Sequence, residues 1–395
     1  MSQQQPAVTE DFSLVQGGPL YSLLLALRLT KPPSGLGARA AVLLCLLTWL
    51  PLLALSVLQG TAIGTGVKIP FLLDFPVAVR FLLVIPLMIV AERVIDARVT
   101  GALRDLAGSG LVANSTVPAF EAMLRGAQRL SNSMLAEVAG VAVVIVGVAY
   151  LRLELSGSLA RWQFLPSSEG AVRPLAGWWY ILVSIPVFQF LFYRWIWRYL
   201  VWSWMLWRIS RLDLQLIPTH PDRVAGLGIL GPAHAGFGVL AFAISSVISA
   251  EYAQEFLLGA TTIAQSELAI FGYLILMLIV FLGPLFVFPG VLMRIQLNGL
   301  RDYGALANRN TLEFDRKWIK GRASAEVPLL GSADIQSLAD LANSYAVISQ
   351  IRYAPMDPRT VLLSIFGCIM VPLLPAALTA VPVDQIVREI LTRLF

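Results

Sequence analysis

The sequence predicts an all-α protein: a polytopic transmembrane helix bundle of about seven spans. Three observations predict it. Apolar runs long enough to cross a bilayer recur along nearly the whole chain. Charged residues make up only 13% and mean hydropathy is +0.74, whereas soluble globular domains carry roughly 25% charge. Basic residues gather in alternate connections between the runs.

An apolar run of about 18 or more residues reads as a membrane-crossing helix. Seven candidates meet that length, near 40–59, 71–91, 134–151, 177–203, 232–250, 268–293 and 360–381. They divide the chain into a cytosolic segment, 1–38, a bundle, 39–381, with helical insertions near 92–133 and 294–359, and an amphipathic C-terminal helix, 382–395. The short apolar patch Leu20 to Leu29 lacks a preceding basic region, so it reads as an interfacial helix rather than a signal peptide. The first insertion carries Val117-Pro118 ahead of Phe120, Met123, Leu124 and Leu130. In the second, Ile335, Leu338, Leu341, Tyr345, Ile348 and Ile351 recur at three- and four-residue spacing, one face of a helix. The fourth run extends from Trp178 to Trp207 and holds seven of the ten tryptophans. At 1.5 Å per residue it measures about 45 Å, longer than the roughly 30 Å hydrocarbon core. That helix is expected to tilt or to project into the cytosol, with its tryptophans near the interface.

The charges set an orientation. With the N-terminus inside, twenty of the 29 basic residues fall on cytosolic segments, six fall outside, and Arg80, Arg194 and Arg198 lie within spans. Basic residues flanking spans favour the cytoplasmic side, so the N-terminus is expected inside and the C-terminus outside. Pro86-Leu87 leading to Gly101-Ala-Leu-Arg-Asp matches Pro284-Leu285 leading to Gly299-Leu-Arg-Asp. This pairing suggests a parallel 3+1+3 repeat, an arrangement some transporters use; the alternative is that Gly-Leu-Arg-Asp is a generic way to leave a membrane.

After the fourth span stands Leu216-Ile-Pro218-Thr219-His220-Pro221-Asp222-Arg223, then Gly226-Leu-Gly228-Ile-Leu230. Two prolines stop the helix, and the glycines allow tight turning. His220 and Asp222 can approach each other or a shared ion, and His titrates near neutral pH. The alternative is a turn-back loop in which Asp222 caps the following helix. This stretch resembles a group of uncharacterised bacterial multi-pass inner-membrane proteins that share the loop pattern Leu-x-Pro-Thr-His-Pro-Asp followed by Gly-Leu-Gly-x-Leu. The resemblance implies a class and no activity.

Ionisable residues inside a membrane default to functional hypotheses. The candidate substrate- or ion-binding residues are therefore Arg80, Arg194, Arg198, His220, Asp222 and Arg223. A cationic set favours an anionic solute or a lipid headgroup; snorkelling to the interface is the plainer alternative for Arg194 and Arg198. Pro86, Gly283, Pro284, Pro289 and Gly290 mark kinks or hinges, since broken helices line gates and sites in transporters. Cys45 and Cys368 both lie in spans, which excludes a disulfide framework. His220 and His234 are the only histidines, so neither a metal nor a haem site is expected, and no cofactor. No GxxxxGK[ST], HExxH or GxSxG motif occurs. The basic residues serve topology, and no nucleic-acid role is expected.

Three functions are compatible with this pattern. The first is a channel or secondary transporter for a small, anionic solute. The second is a structural or scaffold subunit of a larger complex. The third, less favoured, is an intramembrane enzyme using His220 and Asp222. The expected partners are membrane lipids, a small anionic solute and further copies of the chain. The C-terminal stripe Val383, Ile386, Val387, Ile390, Leu391 and Leu394 needs a helix or a membrane surface to cover it, and a homo-oligomer is expected. The orientation is tested by single cysteines in a cysteine-free background. An impermeant maleimide applied from outside is expected to label Glu255→Cys and to miss Lys320→Cys. The reverse pattern overturns the assignment.

Overall fold

The computed structural model describes residues 12–15, 30–31, 34–64, 67–154, 161–167, 170–321, 333–357 and 361–380. The interfacial helix expected at Leu20 to Leu29 and the amphipathic helix expected over 382–395 lie outside the described residues. The chain is a helix bundle with two short antiparallel hairpins, β1 (Thr30–Lys31) with β2 (Ser34–Leu36) and β3 (Leu165–Ser167) with β4 (Gly170–Val172).

The first membrane-length helix is α1 (Ala38–Leu58). Next comes α2 (Phe75–Gly108), then α3 (Val117–Ser131) and α4 (Met134–Glu154), separated by a break at Asn132. A long α5 comes after them (Leu175–Ile209). A loop leads to the short α6 (Leu230–Ala235) and to α7 (Gly238–Leu257). Then come α8 (Ile263–Leu282), α9 (Pro289–Phe314), α10 (Ala333–Ser349) and α11 (Leu363–Thr379). Among the described residues, six helical stretches are long and apolar enough to cross a membrane, so the protein is an integral membrane protein. The seventh candidate forms α11, a shorter apolar helix. It packs alongside α6 and α7 in step: Val361 lies against Gly231, Cys368 against Gly238, and the Ala376 N–H donates to Ser249 Oγ at 3.3 Å.

Two features go beyond the sequence reading. The sixth candidate, 268–293, is interrupted at the glycines and prolines that mark it as kinked, and it forms two helices. Gly283 and Pro284 end α8 in a tight turn, Gly283–Val287, with Phe286 outside helical geometry, and Pro289 opens α9 at its first turn. Pro suits that position because the first N–H groups of a helix have no intrahelical partner. The two halves of the suggested repeat are thus built differently: α2 continues past Gly101, where an added Cβ would meet nothing within 4 Å, whereas one added at Gly299 would meet Pro218 and Ile348. The tryptophans of α5 also do more than line an interface. Trp195 and Trp202 are fully buried; their indole N–H groups donate to the Met88 carbonyl and to His234 Nδ1. The far half of α5 packs on α3: Trp197 donates to the Leu130 carbonyl and Trp204 packs over Gly126.

The centre is formed by α2, α5 and α7. Of the apolar stretch ending in α7, 61% is buried, against 11% for that of α3 and α4. The outer helices instead expose leucine, isoleucine and valine, such as Leu43, Leu46 and Leu50 on α1, Val138, Val141 and Ile145 on α4, and Leu268, Ile275 and Ile279 on α8. On a membrane protein that surface faces lipid.

Both central helices α2 and α5 contain one wide π turn, Val79–Val84 and Tyr180–Ser184, each directly before Ile-Pro. Pro86 has no N–H to give and its ring crowds the preceding turn. Ile85 therefore bonds back to the Arg80 carbonyl, and the carbonyl of Phe81 is left without a backbone donor; the Cys45 thiol supplies one at 3.2 Å. A π turn of this kind is a typical site of a helix bend.

The placement of α11 is open to a direct test. A Cβ built on Gly238 stands 3.6 Å from the Cys368 Cβ, within the range a disulfide spans. In a Cys45→Ala background, Gly238→Cys is expected to lose both free thiols on mild oxidation, read by maleimide–polymer gel shift. Persistent reactivity of both thiols means that α11 does not lie along α7.

Candidate functional site

The sequence-predicted site residues form separate groups at the two ends of the bundle. The end carrying the α1–α2, α4–α5 and α7–α8 connections is called the hairpin end. The other, carrying residues 210–229, is the loop end.

At the hairpin end, Arg80 stands on the π turn of α2. Its guanidinium donates to the Tyr180 hydroxyl at 3.1 Å and pairs with the Glu251 carboxylate. Tyr180 opens the π turn of α5, and Glu251 lies on α7. The group therefore ties the three central helices together. Asp74 sits beside it. One carboxylate oxygen caps α2 by accepting the Val77 N–H, and the other accepts the buried Trp162 indole N–H at 2.9 Å.

Further along α2, Glu92 and Arg198 form a second pair at 2.6 Å, with side chains 1% and 5% exposed. Glu92 lies twelve residues beyond Arg80, about 18 Å along the helix axis. The other Arg198 nitrogen donates to the Val15 carbonyl at 3.2 Å. Residues 12–15 are held from three sides: Asp96 accepts from Ser13 Oγ and the Leu14 N–H, Thr100 Oγ1 donates to the Phe12 carbonyl, and Arg198 takes Val15. Arg194, one turn before Arg198, makes no hydrogen bond or ion pair among the described residues.

The loop between α5 and α6 is organised by one carboxylate. Asp222 Oδ1 accepts the N–H groups of Val224 (2.9 Å) and Gly226 (3.1 Å), Oδ2 accepts that of Gly228 (2.9 Å), and His220 Nδ1 lies 2.8 Å from Oδ1. Burial alone would push this carboxyl up, but the three N–H groups and the imidazole outweigh it and hold the group below the ordinary carboxylate value. The same bonds stabilise left-handed backbone at Arg223 and Ala225 (φ 57° and 58°), a conformation costly for residues with a Cβ. Arg223 joins through its backbone only: its carbonyl accepts from the Arg352 N–H at 2.8 Å, while its exposed side chain bonds nothing among the described residues. Arg352 also donates to the Asp222 carbonyl (2.7 Å), and the Thr116 hydroxyl donates to the Asp213 carbonyl (2.8 Å). The loop thus joins both insertions. His234 is separate from it, in the core, accepting from Trp202 at Nδ1 and bonding the Phe281 carbonyl through Nε2 at 2.6 Å. Among the described residues no group of three or more His, Cys, Asp or Glu is placed to hold a metal.

Glu92, Asp96 and Tyr180 were not singled out in the sequence, whereas Glu251 belongs to the acidic outer loop that offers Arg80 a partner. Glu92 and Asp96 fall just past the apolar run 71–91 and so read as loop residues; only the continuation of α2 to Gly108 makes them interior. Compared with protein-family models, curated proteins and solved structures, the chain matches none.

Because the Asp222 carboxyl is depressed in the folded state, its contribution is complete above the unfolded value of about 3.9 and is lost only as pH falls through the lower folded value. Asp222→Ala is therefore expected to lower stability by about 2 kcal/mol, with the same deficit at every pH from 5 to 8 in thermal unfolding of the detergent-solubilised protein. A deficit that closes between pH 5 and 7 counts against this role.

Proposed function

We propose that the protein is a channel or secondary transporter for a small anionic solute. It lies in a bacterial inner membrane, crosses seven times and keeps its loop end in the cytoplasm. One observation supports this above the others: the seam between α2 and α5 is clamped by charge at both ends. Arg80, Tyr180 and Glu251 close the hairpin end, and Glu92, Arg198 and the segment 12–15 close the loop end. Between the clamps the seam is packed shut by Phe81, Val84, Ile85, Met88 and Trp195. Buried ion pairs gain little over well-packed apolar residues, so the buried Glu92–Arg198 pair, with the half-buried Arg80–Glu251 pair further back on α2, favours a role in opening and closing. The π turns beside Pro86 and Pro186 give each helix a place to bend, and the turn at Gly283 and Pro284, with Pro289 and Gly290, gives a third. The resemblance of residues 216–230 to bacterial inner-membrane proteins supports the location.

A scaffold role is the second reading. It is favoured by α9 and α10, which pack against each other as a helical pair while α9 leaves Leu297, Leu306 and Leu312 exposed. Homo-oligomerisation through 382–395 belongs to either reading. An enzyme at His220 and Asp222 has less support, because the carboxylate is already occupied by three N–H groups and an imidazole.

Proteoliposomes loaded with an anion-sensitive dye decide between the first two. Wild-type protein is expected to pass at least one of chloride, nitrate, bicarbonate or small carboxylates faster than empty vesicles. Glu92→Gln and Glu251→Gln are expected to change that rate by about tenfold, equivalent to 1.4 kcal/mol in a barrier. Empty-vesicle rates for every ion leave the scaffold reading in possession.

A further inference from the structure

Beside the clamp at the loop end lies a cavity of about 30 Å³, between the α3–α4 junction and α5. Arg194, Ser131, Ser133, Tyr193 and Trp197 line it, and Leu14 and Val15 close one side. Two of its groups have unmet hydrogen-bonding capacity. Arg194 makes no hydrogen bond or ion pair among the described residues, and Ser131 Oγ is buried without a partner. A guanidinium is donor only, and a hydroxyl can donate; leaving the buried Ser131 hydroxyl unpaired costs free energy, and the partly buried Arg194 offers its donors to whatever enters the cavity. Among the described residues, no acceptor lining the cavity is bonded to either group. Arg198 is not the missing cation, since Glu92 already neutralises it. Glu137 also lines the cavity and, with Glu92, acts on Arg194 through space, which limits the site to one negative charge held with modest affinity.

Size narrows the ligand. A water needs about 10–15 Å³ of such space, so the cavity takes two or three waters, or one monatomic anion with a water beside it. A phosphate or lipid headgroup exceeds that. We infer that the Arg194 cavity binds a single halide-sized anion, chloride in the cell, with Leu14 and Val15 as its lid. This names a substrate class for the transport reading and rests on that reading only for the steps after binding.

The test uses full-length protein in detergent free of anionic lipid. Its thermal midpoint is measured in sodium bromide and in sodium gluconate at equal ionic strength. Bromide is expected to raise the midpoint saturably. Ser131→Ala is expected to need several-fold more bromide, Arg194→Gln to show no response, and Arg309→Gln, an exposed change on α9, to respond as wild type. A second measurement needs no change at the arginine. Bromide quenches tryptophan fluorescence on contact, and the saturable part of the quenching is expected to vanish in Trp197→Phe. Equal midpoints in the two salts, or saturable quenching that survives Trp197→Phe, overturn the site. An equal response to phosphate overturns its size limit. Bromide binding without flux in proteoliposomes rejects transport and leaves the site standing. Undiminished flux by Arg194→Gln rejects the site as part of the transport path and leaves both transport and binding standing.

Discussion

The pairing of Glu92 with Arg198 is the constraint on which the loop end depends. Neither charge reaches water, and an uncompensated buried charge costs roughly 3–5 kcal/mol when its partner is removed. The pair therefore fixes how far α5 slides and turns against α2. Trp195, one turn before Arg198, is set by the same register, with its indole N–H on the Met88 carbonyl and the guanidinium of Arg198 over its ring at 5.3 Å. The second Arg198 nitrogen then orders Val15, and the ordered segment gives the cavity beside Arg194 its wall. One electrostatic contact thus sets helix register, an N-terminal strap and the shape of a polar pocket.

Backbone accounting explains the hairpin end in similar terms. In lipid every carbonyl without a donor is expensive. Each Ile-Pro step on α2 and α5 removes one donor, and the helix responds by widening its preceding turn. A wide turn rotates the next stretch of helix and swings its own side chains outward. That rotation aims Arg80 across the bundle at Tyr180 on the other wide turn, while Cys45 of α1 reaches the stranded Phe81 carbonyl. A cysteine that composition presents as an inert apolar residue is a hydrogen-bond donor at a proline's defect.

The spans were legible because lipid imposes a length and a composition that a hydropathy window detects, and α1, α4 and α5 fall close to where that window puts them. The loop was legible too, since Pro218, Pro221 and the glycines can only be punctuation. What escaped was charge inside helices. Glu92 and Asp96 come after the apolar run without a break in helical character, and a residue one turn past an apolar run reads as solvated unless something long-range contradicts it. The contradiction is Arg198, 106 residues away. The sequence sets Arg80 apart from Arg194 and Arg198 but treats those two alike. Arg80 finds its partners on α5 and α7, Arg198 on α2, and Arg194 none among the described residues, and no local pattern encodes the difference between the last two.

The loop around Asp222 also has a consequence for how the chain is made. Its carbonyl is gripped by Arg352, 130 residues downstream. At ribosomal rates of about 5–20 residues per second, the loop waits roughly 7 to 26 seconds in the open before its clasp is synthesised. During that interval α5 and α7 are already inserted, while Pro218, which will be covered by Gly299, stays bare. The loop end therefore closes late, and a chain that stops between the end of α9 and position 352 has an unlocked floor and also lacks α11 along α6 and α7, a form that membrane quality-control proteases are suited to grip.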